Sequence, residues 1–156
     1  MESDRAEPAT LAMRFFFYGT LLDGSDNPVA RDIHALLAPL GQASVRGALH
    51  AVPDAHGWFP ALLPGDGPAQ GRLYEARAHF TPADLARMDA YEDYDPARPE
   101  ASLYLRRTVQ LASGGSAEAY LFNQPLPAGS RAIPHGDFRR WLAESGEAQF
   151  SGLRDA

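Results

Sequence analysis

The residues of this 156-residue chain best suited to chemistry are carboxylates, tyrosines and one glycine-threonine pair. Four acids crowd the stretch "LARMDAYEDYD": Asp89, Glu92, Asp93 and Asp95. Glu92 stands apart by phase. At about 100° per residue from Leu85, Met88 falls at about −60° and Glu92 at about −20°, so a helix here aims this carboxylate along its core-facing stripe. A carboxylate in an apolar setting holds its proton more tightly than in water, as a general acid or base working near neutral pH requires. The other reading is a helix frayed by Tyr91, with Glu92 in solvent or paired with an arginine. For the cluster as a whole, a solvated helix end is simpler than a glycosidase-like or metal-binding group.

Gly19 and Thr20 follow the apolar run "MRFFFY" directly. Glycine permits a positive φ or a close approach to a ligand, and successive backbone N–H groups beyond a strand end can cradle an anion such as a carboxylate. An ordinary turn after a core strand accounts for the same residues. By the two-residue period of a strand, Tyr104 and Arg106 share one face opposite Leu103 and Leu105, and Tyr120 alternates with Ala119 and Leu121. These side chains suit either a polar pocket or an outward sheet face.

Composition removes other chemistries. Cysteine is absent and all 14 basic residues are arginine, which excludes thiolate nucleophiles, disulfides, Schiff-base lysines and a Walker-A lysine. The five histidines show no metal spacing, and no GxSxG or GxGxxG pattern occurs. A net charge of −6 with no basic cluster argues against a nucleic-acid partner. Met1 to Thr10 has neither the basic start nor the apolar run of a signal peptide, and no stretch approaches the roughly 20 apolar residues that cross a bilayer. The expectation is a cytoplasmic protein without membrane contact, with a disordered tail over 1–12 and a single domain over 13–150.

The elements that must position these groups are short. Met13–Tyr18 reads as a strand buried on both faces, stopped by Gly19. Val29–Leu40 has helical spacing until Pro39. Three Gly- and Pro-broken pieces follow, "SVRGALHAV", "GWFPALLPGDGP" and "QGRLYEARAHF", read as strands and turns with Pro60 and Pro64 at edges or in loops. Thr81, Pro82 and Asp84 start a helix as N-cap, first residue and capping-box partner. "LYLRRTVQLASGGSAEAYLF" is a hairpin turning at Gly114 and Gly115. "GDFRRWLAESG" is a short amphipathic helix closed by Gly146. Strands without regular alternation with helices indicate an α+β fold with a mainly antiparallel, closed or nearly closed sheet.

Taken in order, "FFFYGTLL", "FPALLPG", "GRLYEA", "LARMDAYEDY", "LYLRR" and "AYLF" resemble the gamma-glutamylcyclotransferase-like family, especially its small AIG2-like members. The resemblance spans roughly residues 13 to 142. It implies a small mixed β-barrel flanked by a few helices, with a pocket at one barrel end. It implies further that Tyr18, Gly19, Thr20 and Leu21 form a substrate-holding loop, and that Glu92 is the catalytic acid/base. Tyr104 and Tyr120 join them as candidate binding residues. Asp93 stands where many family members have glycine, and "DPARPEAS" is a long spacer before Tyr104. The implied activity converts a gamma-glutamyl compound, a small-molecule substrate, to 5-oxoproline with no metal or cofactor; the sequence names neither the amine released nor the oligomeric state. The other reading from a different class is a small-molecule binding or regulatory module on the same barrel.

Overall fold

A computed structural model describes residues 13–19 and 28–149. In chain order its elements are β1 (Arg14–Phe17), α1 (Pro28–His34), β2 (Leu37–Asp54), β3 (Gly57–Ala76), α2 (Pro82–Tyr91), a 3₁₀ turn (Pro99–Ala101), β4 (Tyr104–Gln110), β5 (Ser116–Phe122), β6 (Arg131–Ala132) and α3 (Phe138–Ser145). The strands form one curled sheet in the order β4-β5-β1-β3-β2-β6. Among these, β1 and β5 run parallel and the other neighbours antiparallel. At one end the curl brings β2 back to the strand at the other side: Val45 bridges Leu111, and the Ala112 N–H bonds the Ser44 carbonyl at 2.9 Å. Among the described residues the fold is thus α+β, a half-barrel of six strands with three α-helices.

The aromatic run explains why β1 lies inside the sheet. Phe15 and Phe17 join one core with Ile33, Phe80, Met88 and Tyr104, while Phe16 and Tyr18 join another with Val45, Leu62 and Phe138. Each large side chain so buried contributes roughly 1.5–3 kcal/mol of transfer free energy, and a polar residue at any of these positions would forfeit it.

Two local expectations are corrected. The helix read over Val29–Leu40 stops at His34, and Leu37 already begins β2, with Pro39 inside that strand and a register shift between Pro39 and Gly41. The pieces read as separate short strands form one long ribbon of β2 and β3. Its prolines are tolerated because β1 bonds β3 only at Arg72–Glu75, leaving the stretch with Pro60, Pro64 and Pro68 bonded on one side, where a missing N–H costs little. Between the pairs Arg46↔Pro68 and Ala48↔Leu63 the register shifts; residues 64–67 oppose Gly47 alone, and this bulge bends the ribbon.

Other signals act as read. Thr81 and Asp84 form a complete capping box with Pro82 behind them, Gly114 and Gly115 turn the β4–β5 hairpin at φ 106° and 80°, and Gly146 closes α3 at φ 75°. Among the described residues, no helix is long and apolar enough to cross a membrane. The tail read over 1–12 and the loop residues Thr20 and Leu21 lie outside the described residues.

Candidate active site

Helix α2 ends where its last turn meets the sheet, and the manner of ending sets Glu92. The C-cap is Glu92 itself (φ −88°, ψ 10°), followed by Asp93 in the left-handed region at φ 56°. The Asp93 N–H bonds the Ala90 carbonyl at 3.0 Å, and the Tyr94 N–H bonds the Asp89 carbonyl at 2.9 Å. These are the two bonds of a Schellman motif. The helix therefore stops after Tyr91, yet Glu92 keeps its inward phase and is only 6% exposed. The frayed, solvated reading of this residue does not hold.

Strand β1 delivers the opposite wall. Tyr18 and Gly19 continue from its end, and with Pro60, Glu92, Tyr104 and Tyr120 they line a cavity with about 20 Å³ open to the centre of a water-sized group. Five sequence-derived candidates are thereby brought together, one from α2, two from the end of β1, one from β4 and one from β5. The Tyr104 hydroxyl donates to the Pro60 carbonyl at 2.6 Å, and the Tyr18 hydroxyl donates to the Tyr120 carbonyl. Gly19 is needed for space rather than for torsion. It is not among the glycines with positive φ, but a Cβ added to it would run into the Pro60 ring, with Cδ at 2.8 Å and Cγ closer still.

Behind the cavity lies a feature the acidic cluster concealed. Asp93 and Asp95 are exposed as a solvated helix end should be, but Asp89 is 5% exposed. Its carboxylate accepts from Arg106 Nε at 2.9 Å and Nη2 at 3.3 Å, and from the Tyr120 hydroxyl at 2.6 Å. Arg106 Nη1 donates onward to Glu118 at 3.1 Å, and the Thr108 hydroxyl to the same carboxylate at 2.7 Å. The strand face carrying Tyr104, Arg106 and Tyr120 is thus turned toward α2 rather than outward. The signal was present in the spacing: Asp89 precedes Glu92 by three, hence shares its helix side, and Arg106 follows Tyr104 by two.

Electrostatics follow from this packing. Burial raises the proton affinity of the Tyr120 hydroxyl well above that of an ordinary tyrosine, and the charge and hydrogen bond of Asp89 and the charge of Glu92 raise it further, against a lowering by Arg106. Tyr120 is therefore a neutral hydroxyl at any working pH. For Arg106, burial opposes its charge, but the hydrogen bond and charge of Asp89, with Tyr120 and Glu118, outweigh it and hold the guanidinium proton more tightly than usual. Removing one partner of such a pair strands a buried charge, at a cost of about 3–5 kcal/mol. Among the described residues no cluster of histidine, aspartate and glutamate is arranged to hold a metal ion.

Two stability predictions come from this geometry. Gly19→Ala should cost about 1–3 kcal/mol in urea unfolding through overpacking, and Pro60→Ala, which deletes Cγ and Cδ, should recover much of it in the double variant; strictly additive effects would contradict the close approach. Asp93→Gly should gain about 0.5–1 kcal/mol, because the left-handed penalty of a Cβ residue, about 1–2 kcal/mol, exceeds glycine's entropic cost of about 0.5–1 kcal/mol. A lower midpoint for Asp93→Gly would contradict the Schellman assignment.

The same architecture occurs in known proteins. An AIG2-like protein from Mus musculus superposes with a TM-score of 0.65 at 20% identity, over 93% of this chain and 99% of that one. A structure described as a gamma-glutamyl cyclotransferase superposes with a TM-score of 0.52 at 12% identity, over 94% and 92%. The Kluyveromyces lactis allophanate hydrolase superposes with a TM-score of 0.66 at 16% identity over 86% of this chain but only 22% of its own length, so there the fold is part of a larger protein. Identities this low show a shared fold and nothing about substrate. No curated protein sequence matches significantly. The sequence profile described as "Gamma-glutamyl cyclotransferase, AIG2-like", however, matches residues 15–140, nearly the whole described chain. On that match, the chain belongs to the gamma-glutamyl cyclotransferase, AIG2-like family.

Proposed function

We propose that this protein cyclises a gamma-glutamyl amine or amino acid to 5-oxoproline and releases the free amine, with Glu92 as general acid/base. The observation that carries the reading is a buried carboxylate at a helix end, facing a cavity walled by the end of β1 and by two tyrosines. Family membership supports it.

The chemistry asks little of the protein. The substrate's own α-amino nitrogen attacks its γ-carbonyl carbon, a nitrogen–carbon bond closes a five-membered lactam, and the bond to the leaving amine breaks. Before attack the α-ammonium must lose a proton; on collapse the leaving nitrogen must gain one. Glu92 accepts the first and returns it as the second, so the balance closes without redox chemistry or a co-reactant. The remaining contribution is to hold the substrate curled, and such orientation of an intramolecular reaction is worth about 7 kcal/mol or more. In this reading the substrate carboxylate is held at Tyr18 and Gly19, which line the cavity, and at Thr20 and Leu21, which follow them in sequence.

A panel of gamma-glutamyl amino acids, amines and isopeptides, followed by mass spectrometry for 5-oxoproline, tests the activity and identifies the released amine. Glu92→Gln keeps the shape but cannot shuttle a proton, so turnover should fall at least about 100-fold while ligand binding persists. Near-normal turnover in Glu92→Gln would remove Glu92 from the mechanism. Tight binding of a gamma-glutamyl compound with no 5-oxoproline released would instead identify a binding module.

A further inference from the structure

A second cleft shares Tyr18 with the Glu92 cavity and is far larger, about 540 Å³ against about 20 Å³ open to a water-sized centre. The small cavity leaves no room for the part of a substrate beyond the scissile amide. The larger cleft is walled by Gln42 of β2, Gln70 and Arg72 of β3, and Arg139 and Arg140 of α3. Its form is set by the backbone. The Gly136 carbonyl accepts from the Gln70 N–H at 2.7 Å, and Gly136 sits at φ 73°, where a Cβ would run into the Pro68 carbonyl. With Phe138 only 1% exposed, the start of α3 is clamped to β3.

The charge of this wall runs against that of the chain. Three arginines face one acid, Asp137, in a protein of net charge −6. Asp137 is committed to capping α3, where its carboxylate accepts the Arg140 N–H at 3.0 Å. The helix gains nothing from the arginines, because its dipole disfavours cations in the first turn. Arg140 gives Nε to Glu144 at 2.8 Å, and a guanidinium carries four further N–H donors. Among the described residues the Gln42 and Gln70 amides make no side-chain hydrogen bond. Arg72 and Arg139 have further interactions within the protein and add charge to the cleft, while Arg140 and the two glutamines supply donors.

We propose that this cleft holds the leaving half of the substrate and selects one that carries a carboxylate, an amino acid or short peptide in preference to a neutral amine or a polyamine. The proposal rests on the cyclotransferase reading and adds to it the class of amine released. A carboxylate here meets the Arg140 Nη groups and the glutamine amides, whereas a polyamine meets like charge.

The test offers wild-type protein gamma-glutamyl-alanine and gamma-glutamyl-alanyl-alanine, each in competition with its C-terminal amide, and reads the ratio of kcat/KM from the amines released. The amide keeps the size and shape and loses only the charge. In at least one pair the acid should be preferred about three- to fivefold, the upper range for a partly exposed ion pair, and added salt should reduce the preference. Arg140→Gln should shrink it. Glu144→Gln, which removes a competing carboxylate, should raise it; a merely structural role for the start of α3 would move acid and amide alike. No preference for the acid in either pair, or one that Arg140→Gln leaves unchanged, overturns the inference, and release of 5-oxoproline from gamma-glutamyl amines but from neither acid does the same; in each case the release itself keeps the proposed function standing. If no gamma-glutamyl compound yields 5-oxoproline, the proposed function falls. Calorimetry with the same pairs then decides the cleft: tighter binding of an acid keeps it as a carboxylate site, and equal or absent binding overturns it as well. The wild-type ratios and their salt dependence decide the matter even where a variant fails to fold.

Discussion

Strand β1 is buried on both faces, and the rest of the molecule is arranged to make that possible. Four consecutive aromatic residues, Phe15 to Tyr18, must each find apolar cover, and alternation sends two to each side. One side is covered by α1 and α2, the other by the curl of the β2–β3 ribbon and by α3. Two cores on one strand need a sheet covered on both faces, which a curled half-barrel with helices packed against it supplies. Just past the end of the strand, at Gly19, the Pro60 ring occupies the space a side chain would need. The candidate site thus lies at the end of a strand buried on both faces, and regular elements hold a site more precisely than loops do.

The second constraint is the handling of two buried carboxylates one helical turn apart. Asp89 and Glu92 are both nearly inaccessible, and two such charges in one place repel and each loses hydration. Asp89 is compensated by Arg106 and the Tyr120 hydroxyl, and it thereby becomes structural, pinning the last turn of α2 to β4 and β5. Asp89 is thus tied to Arg106 and Tyr120, while Glu92 lines the cavity.

How much of this the sequence discloses depends on the range of the interaction involved. Thr81, Pro82 and Asp84, the glycines at 114 and 115, and Gly146 act within a few residues of themselves, and their caps and turns form where local chemistry places them. Glu92 was legible because its phase is local too. The spacing puts Asp89 on the same helix side, but its ion pair was not legible, because a buried charge is recognised by its partner, and Arg106 lies 17 residues away on another element. The β2–β3 ribbon was hidden for a related reason. Whether a proline breaks a strand depends on whether its missing N–H had a partner, which sheet order decides and a single segment does not show. Gly19 was singled out as a glycine that mattered, but the cause, Pro60 pressed against it, lies some forty residues along the chain.

The central claim is the proposal that the cavity beside Glu92 takes a gamma-glutamyl head group and that this carboxylate handles its amino proton. A crystal structure of the protein with 5-oxoproline bound tests this most directly. The account predicts the lactam nitrogen within hydrogen-bond distance, about 2.7–3.2 Å, of the Glu92 carboxylate, inside the cavity that Tyr18, Gly19, Tyr104 and Tyr120 line. A ligand with its nitrogen away from Glu92, or in a different cleft with the Glu92 cavity unchanged, would contradict it.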